Sequence, residues 1–489
     1  MWCMTDLTEK IKTEQLHVES SHPFAIFNIQ GIWNADDTAD MPWIEVLDEP
    51  SSCPVSDTED QLDCISQGSS SSVSDSGSDI TLKCQEEETL GDIMGKYLFK
   101  IKEQNRLTQT STQRVAKATS DLFSMACRRL KRRVEETLDD AGIEQVPGLE
   151  AAFADFLFPF EDLKTTWMLT EFQKHSLPYV EPLKKVLGRT RVYRRVRNKI
   201  RCLQLEKVFF YVPILKTLEA QFQSRAILKM VFSERDEDKD RGFLQDFNDG
   251  LFVQSHPLFS TDDCALKLLI YYDDVNVANP MTNKIHQLGF FYYQLANIKS
   301  VYRAKLNSIH LFAICKKQYI REFGLNEVLK PLVEDLKELG GEQGYAFTIA
   351  GGTVYLRGAI LAVIADTPAS QGVGCFKESV GGARRKCRHC MTSWEQVQEH
   401  FLEEDFILRD SNSHEQQVSL IEDAGSNYLR KFFSKNYGIT GRAKISEAPY
   451  FDITKQLPQD IMHIFLEGIL CYEMKFFSAF LPQQSFYSS

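Results

Sequence analysis

The sequence has no long apolar run: nothing in its 489 residues approaches the roughly 18 uninterrupted apolar positions that a membrane span requires. Its opening, MWCMTDLTEK, carries acids and no apolar stretch of the signal-peptide kind. Paired cysteines are also scarce. Of twelve cysteines only Cys387 and Cys390 stand close together, which argues against a disulfide framework and leaves buried thiols or one metal site. There is no overall positive charge either, and a net charge of −12 speaks against a protein that coats nucleic acid indiscriminately. No Cys/His finger spacing precedes Asp263, and no Ser-His-Asp arrangement stands at usable spacing. GGTVYLRG lacks the GKS or GxGxxG context of a phosphate cradle and reads as a hairpin turn. The compartment these absences leave is cytosol or nucleus.

What is present is unevenly distributed. The segment 1–88 is rich in Ser, Asp and Glu toward its end (SDTEDQLD, SQGSSSSVSDSGSD, QEEET) and is expected to be a disordered acidic leader, because it has too little apolar surface to bury. Over 89–232 apolar residues recur at helical spacing, as in VAKATSDLFSMACRRLKRRVEETL, which predicts a helical region that could touch DNA. Basic clusters follow the leader: RRLKRR (Arg128 to Arg133), RVYRRVRNKIR (Arg191 to Arg201) and ARRKCRHC. The first reads equally as a localisation or phosphate-contacting patch or as a solvated helix face. The charged loop SERDEDKDRG marks a boundary, and a third domain is expected over 243–480.

That last region changes period. ALKLLIYYDD, HQLGFFYYQLANI and SIHLFAICKK read as three strands, FGLNEVLKPLVEDLKELGG as a helix, and RGAILAVIAD as a further strand. Two of the strands end in acids. If adjacent in one sheet, they would bring Asp273 or Asp274 to Asp366, and paired carboxylates suit a hard divalent cation such as Mg²⁺ or Mn²⁺. Strand-terminal Asp residues are also common turn formers, so spacing alone leaves this open. Phe290, Phe291, Tyr292 and Tyr293 could stack bases, but the core is the better expectation for a strand.

The blocks YYDDVNVANPMTNKIHQLGFFYYQLANI, RGAILAVIADTPASQGVGCFK, RKCRHCM and LPQDIMHIFLEGIL, in that order between about Asp263 and Cys471, resemble the transposase domain of CACTA (En/Spm-like) DNA transposons. The resemblance implies an α/β fold: an RNase H-like mixed sheet with flanking helices, in which carboxylates of the D-D-E/D type hold two divalent ions about 4 Å apart. It further implies a nuclear protein that nicks transposon ends and joins them to a target duplex. It would act as a metal-dependent polynucleotidyl transferase if its acidic site is complete, and as a dimer if ends are to be paired. No small-molecule cofactor and no membrane are implied.

Carried onto this chain, the resemblance assigns Asp273 and Asp366 as the first two acids, with Asp274 in reserve. Glu467, four residues after His463, is the local candidate for the third, and His463 is either a reserve catalytic group or a core histidine. Asp460 reads as a helix N-cap. Ile464 stands where relatives have Asp. The core is expected to be truncated at its C-terminus, because relatives supply the last acid after a further insertion. Cys387 and Cys390 have the spacing of half a structural zinc site. His414 is a third candidate ligand; Gln417 stands where relatives have a second His, and His400 or Cys375 could substitute. Otherwise the thiols are free, in a basic loop whose Arg384, Arg385 and Arg388 contact phosphates. Specific DNA contact is expected from Arg194, Arg195 and Arg197. The alternative to an active transposase is a catalytically inactive, domesticated or truncated remnant that binds DNA or protein.

Overall fold

A computed structural model describes residues 89–143, 146–157, 160, 163–196, 199–232, 244–277, 287–349 and 352–480. The expected acidic leader, 1–88, lies outside the described residues. The chain divides into two compact units, Met1–Glu181 and Pro182–Ser489.

The first unit is helical. Helices α1 (Leu90–Gln104), α2 (Gln109–Asp140), α3 (Leu149–Leu157) and α4 (Thr166–Ser176) follow one another. Thr89, Thr108 and Thr165 cap α1, α2 and α4, each accepting a backbone N–H from the first turn. Leu98 and Phe99 of α1 pack with Ala116 of α2, Leu169 of α4 and the intervening Phe160 and Leu163. Arg128, Arg129, Arg132 and Arg133 are exposed on α2, while Lys131 pairs with Glu150 and Glu135, so RRLKRR is a solvated helix face.

The second unit corrects the expected extent of the helical region. Strands β1 (Leu183–Val196) and β2 (Lys199–Tyr211) pair antiparallel along their length, registered Thr190 to Leu205. Val, Tyr and Phe set between charged residues favour extended backbone, and the density of Arg and Lys had hidden that pattern. Helices α5 (Ile214–Gln221) and α6 (Arg225–Phe232) follow. Then come β3 (Leu266–Asn276), β4 (Gln287–Leu295), β5 (His310–Lys316), α7 (Lys317–Phe323), α8 (Leu325–Leu339), a small hairpin of β6 (Tyr345–Ile349) with β7 (Gly352–Leu356), and β8 (Gly358–Ile364). The four strand-like runs read from the sequence after residue 263 therefore coincide with β3, β4, β5 and β8, and GGTVYLRG contributes to the small hairpin.

One mixed sheet has the order β1-β2-β5-β4-β3-β8. Every neighbouring pair is antiparallel except β3 with β8, which is parallel. The central strands are apolar because both faces are covered: Leu266, Leu268, Leu269 and Ile270 of β3, Phe290, Phe291 and Tyr293 of β4, and Ile360 and Val363 of β8 are all buried. Three of the four aromatics in the β4 run are therefore core, and Tyr292 is half-buried. Asp335 of α8 ties that helix to the sheet, accepting from Tyr211 Oη at 2.6 Å and from the Ile214 N–H at 2.9 Å. Beyond β8 the chain continues through α9 (Thr367–Val373), α10 (Ser411–Glu422), α11 (Asn427–Tyr437), a π-helical stretch Met462–Ile469 and α12 (Leu470–Phe480). No helix among the described residues is long and apolar enough to cross a membrane.

Candidate functional site

The parallel pairing of β3 and β8 positions the two acids. Its last registered pair is Tyr271 with Ile364, and two residues further along each chain stand Asp273 and Asp366. Neighbouring strands are roughly 4.8 Å apart, so the two carboxylates leave the same sheet edge side by side. Asp366 caps α9, its Oδ1 accepting the Ala369 N–H at 2.7 Å. Asp273 Oδ1 accepts the Asp274 N–H at 2.7 Å. Each carboxylate thus has one oxygen engaged by a backbone amide, and among the described residues its other oxygen is not hydrogen-bonded. Asp273 reaches solvent, yet desolvation by its surroundings raises its pKa; the Asp366 and Asp274 charges add to the rise, and the Asp274 amide and His463 oppose it.

Asp274 points the other way, since successive strand residues alternate faces. It forms an ion pair with Lys317 of α7 and accepts from Tyr272 Oη at 2.9 Å, and Lys317 also donates to that hydroxyl at 3.1 Å. Gly289, opposite Asp274 on β4, makes room for the cluster: a Cβ there would lie 2.6 Å from Ile320 Cδ1 and 3.3 Å from Asp274 Oδ1. Asp274 is thus engaged by an ion pair on the face of β3 opposite to Asp273.

The C-terminal segment is fastened alongside β8. Buried Gln456 accepts the Asp452 N–H at 2.5 Å and donates to the Ile360 carbonyl at 2.5 Å, while Val363 N–H donates to the Gln456 carbonyl at 2.8 Å. Four residues on, Asp460 starts the next helical stretch, accepting the Met462 N–H at 2.9 Å, as an N-cap should. Asp460 also receives His463 Nδ1. That hydrogen bond raises the His463 pKa, with further help from the charges of Asp460, Glu467 and Asp366. On Asp460 desolvation opposes the same contact, and the balance lowers its pKa. His463 and Glu467 are both exposed, so neither is a core residue. Asp273, Asp366 and His463 thus share one electrostatic neighbourhood, with Glu467 acting on it through His463.

The cysteine knuckle is separate from these acids. Cys387 accepts the His389 N–H at 3.3 Å, and Cys390 bridges to Leu408. The two thiols hydrogen-bond to each other; that contact lowers the Cys390 pKa, and the charge of Arg409 favours its thiolate. Arg409 is buried and donates to the Cys387 carbonyl at 3.0 Å and to Gln417 Oε1 at 3.2 Å. His414 is buried on α10, and its Nδ1 has no hydrogen-bond partner. Burial lowers its pKa to about 4. Among the described residues, however, no group of three or more His, Cys, Asp or Glu side chains is gathered closely enough to hold a metal ion. His414 is therefore not brought together with the two thiols, and no third acid is brought onto Asp273 and Asp366. His400, on the C-terminal side of the knuckle, has a buried Nδ1 without a partner, and Cys375 instead contacts Asn326 and the Arg442 carbonyl.

The phosphate-contacting arginines need a correction. Arg388 is only 1% exposed, and its guanidinium donates to the carbonyls of Leu457 at 2.8 Å and Pro458 at 2.6 Å. Arg385 is half-buried on the Met391 carbonyl and Asn436 Oδ1. Only Arg384 of the three is exposed. A guanidinium committed to buried carbonyls cannot reach a phosphate, and sequence has no means of distinguishing it from a surface one. Arg197 lies outside the described residues, as do the side chains of Arg194 and Arg195, whose backbone runs in β1. Sequence reasoning also missed Arg409 and Gln456, whose roles depend on backbone groups far away in the chain.

No protein-family model matches the chain, and no curated protein matches it.

Proposed function

We propose that this chain carries the acidic half-site of a metal-dependent polynucleotidyl transferase on an RNase H-like core, as the resemblance to CACTA-type transposases implies. The observation that carries the reading is the juxtaposition of Asp273 and Asp366 at the ends of adjacent parallel strands. The sheet order β5-β4-β3-β8, antiparallel until a final parallel pair, is compatible with that core.

The donor set fits a hard cation. Two carboxylates, each with one oxygen not used by a backbone amide, suit Mg²⁺ or Mn²⁺, which is commonly held by one or two carboxylates and completes its shell with water and substrate phosphate. When bound, such ions supply an activated oxygen nucleophile and stabilise the leaving oxygen. Asp273 and Asp366 would hold them; desolvation first, and then the Asp366 and Asp274 charges, raise the Asp273 pKa, and a cation relieves the repulsive part. His463, held through Nδ1–H by Asp460, leaves Nε2 available, and its raised pKa favours the imidazolium form that can donate from Nε2 to a phosphate oxygen or a leaving group. Glu467 would complete the acid set only by moving from its present position, and it remains the local candidate.

The partner in this reading is duplex DNA, with transposon ends and target both bound in a nuclear, dimeric assembly. Arg384 is the exposed arginine of the knuckle, and Arg194, Arg195 and Arg197 are proposed to follow a backbone; replacing those three with Ala should weaken duplex binding and flatten its salt dependence. We extend the proposal to Zn²⁺ at Cys387 and Cys390 only as far as the two thiols, which form half of a tetrahedral set.

The test is Mg²⁺- or Mn²⁺-dependent nicking of supercoiled plasmid by the purified chain, beside Asp273→Asn and Asp366→Asn. Nicking abolished by both substitutions supports the enzyme. Equal inertness of all three proteins with DNA still bound would leave the second reading, an inactive remnant; the unassembled third acid is the observation that favours it.

A further inference from the structure

Arg388 lies between the two knuckle cysteines in sequence and is the largest fully buried side chain of the described residues, yet the acidic site as described above makes no use of it. It has no carboxylate hydrogen-bonded to it among its described contacts. Nε donates to the Leu457 carbonyl and Nη2 to the Pro458 carbonyl, and the charges that favour it are those of Cys387 and Asp460. A guanidinium buried in this way loses its hydration for two backbone bonds and distant charges, which is poor compensation for a residue of packing alone. What it gains is control of one turn. Leu457 and Pro458 lie three and two residues before Asp460, whose backbone and side chain start the helical stretch and whose Oδ2 holds His463 Nδ1. The adjacent His389 contributes a second tie, its Nδ1 meeting the Thr454 carbonyl at 3.3 Å. On the other side of the same segment, Gln456 is bound to β8, the strand that leads to Asp366. The knuckle and β8 thus grip residues 454–458 from two sides.

We propose that Arg388 is a positioning residue that sets the Asp460–His463 pair against the Asp273–Asp366 edge. This rests on the functional reading above, and it gives the knuckle a role toward that site: the loop that carries the two cysteines holds the turn that aims the histidine. Arg388 contacts neither substrate nor metal in this scheme and acts only through the 457–460 turn.

The experiment uses the full chain with ¹⁵N-labelled histidine, read by two-bond ¹H–¹⁵N correlation at a pH above the His463 pKa, where the ring is neutral, with His463→Gln to assign the ring. Wild type should show His463 protonated at Nδ1, the state a carboxylate partner holds, and Asp460→Asn should shift the ring toward the Nε2-protonated tautomer. Arg388→Met should produce the same tautomer change in a folded protein. It should also lower the kcat of plasmid nicking about 10- to 100-fold, the scale of a displacement of about 1 Å, with KM for plasmid nearly unchanged. Arg388→Lys keeps the buried charge and can keep one carbonyl bond, so it should recover part of both signals. A folded Arg388→Met protein with the wild-type His463 pattern and wild-type kcat overturns the proposal, as does a folded Arg388→Gln protein with both if the Met variant does not fold. Wild type that never nicks would sink the functional reading instead, while the tautomer comparison would still decide whether Arg388 positions His463.

Discussion

Asp273 and Asp366 stand side by side because β3 and β8 run parallel and in register, each acid two residues beyond the Tyr271–Ile364 pair. An antiparallel pairing of the same two strands would have sent the acids to opposite ends of the sheet. The raised pKa of Asp273 records their proximity, after the larger effect of desolvation. Asp273→Asn should therefore remove metal-dependent nicking without lowering the melting temperature, since it deletes a repulsion. Asp366→Ala should remove nicking and cost about 1 kcal/mol of stability as well, because the α9 cap is lost, whereas Asp366→Asn retains the cap. Thermal melting beside the nicking assay separates the two effects.

Asp274 should behave in the opposite way. Its ion pair with Lys317 lies on the other face of β3 and is largely shielded from water, so Asp274→Asn should destabilise the fold while nicking persists. A double-mutant cycle with Lys317→Met, read by denaturant unfolding, should give a coupling of about 1 to 3 kcal/mol. A coupling near zero, or loss of nicking in stably folded Asp274→Asn, would return Asp274 to the list of metal ligands.

His310 should make the fold acid-sensitive. Burial lowers its pKa to about 4, below the unfolded value of about 6.5, so between these values the unfolded chain binds more protons. Stability should rise with pH across that window and be lost as pH falls through it, by an amount on the order of 3 kcal/mol. His310→Phe, which keeps a ring beside Tyr293, should flatten this part of the pH–stability curve measured by urea unfolding.

Gly438 ends α11 with a φ of 74°, and a Cβ there would come within 2.1 Å of the Arg385 carbonyl oxygen. Gly438→Ala combines a left-handed backbone with a collision against main chain, and should cost at least about 2 kcal/mol in denaturant unfolding. A loss under 0.5 kcal/mol, on the order of an ordinary surface substitution, would mean that the knuckle is not held against α11 in this way.

Cobalt substitution tests the thiol site. Co²⁺-loaded protein should show thiolate-to-cobalt absorption that disappears in Cys387→Ser and in Cys390→Ser. It should survive in His414→Gln, because His414 is not gathered with the thiols. Loss of the bands in His414→Gln would make it a ligand and imply that α10 moves on metal binding.

Much of the sheet was legible because β3, β4, β5 and β8 are covered on both faces, and such strands announce themselves as short apolar runs between turn signals. Strands β1 and β2 were not legible: basic residues interrupt their apolar pattern, and only pairing along their length makes them a strand pair. The preference for Asp273 over Asp274 came from the resemblance, and the structure adds a physical ground that the run itself does not hold, the engagement of Asp274 by Lys317.

The sequence by itself determined the strand-and-helix order after residue 263, the acids at two strand ends, the close cysteine pair and the cap at Asp460, all of which are properties of neighbours along the chain. The tertiary structure alone decided that β3 and β8 pair in parallel, that Arg388 and Arg409 are buried supports, and that Glu467 and His414 stand apart from the groups they were expected to join. Those outcomes depend on contacts between residues tens of positions apart, and side-chain reach across a fold is set by packing that no local spacing encodes.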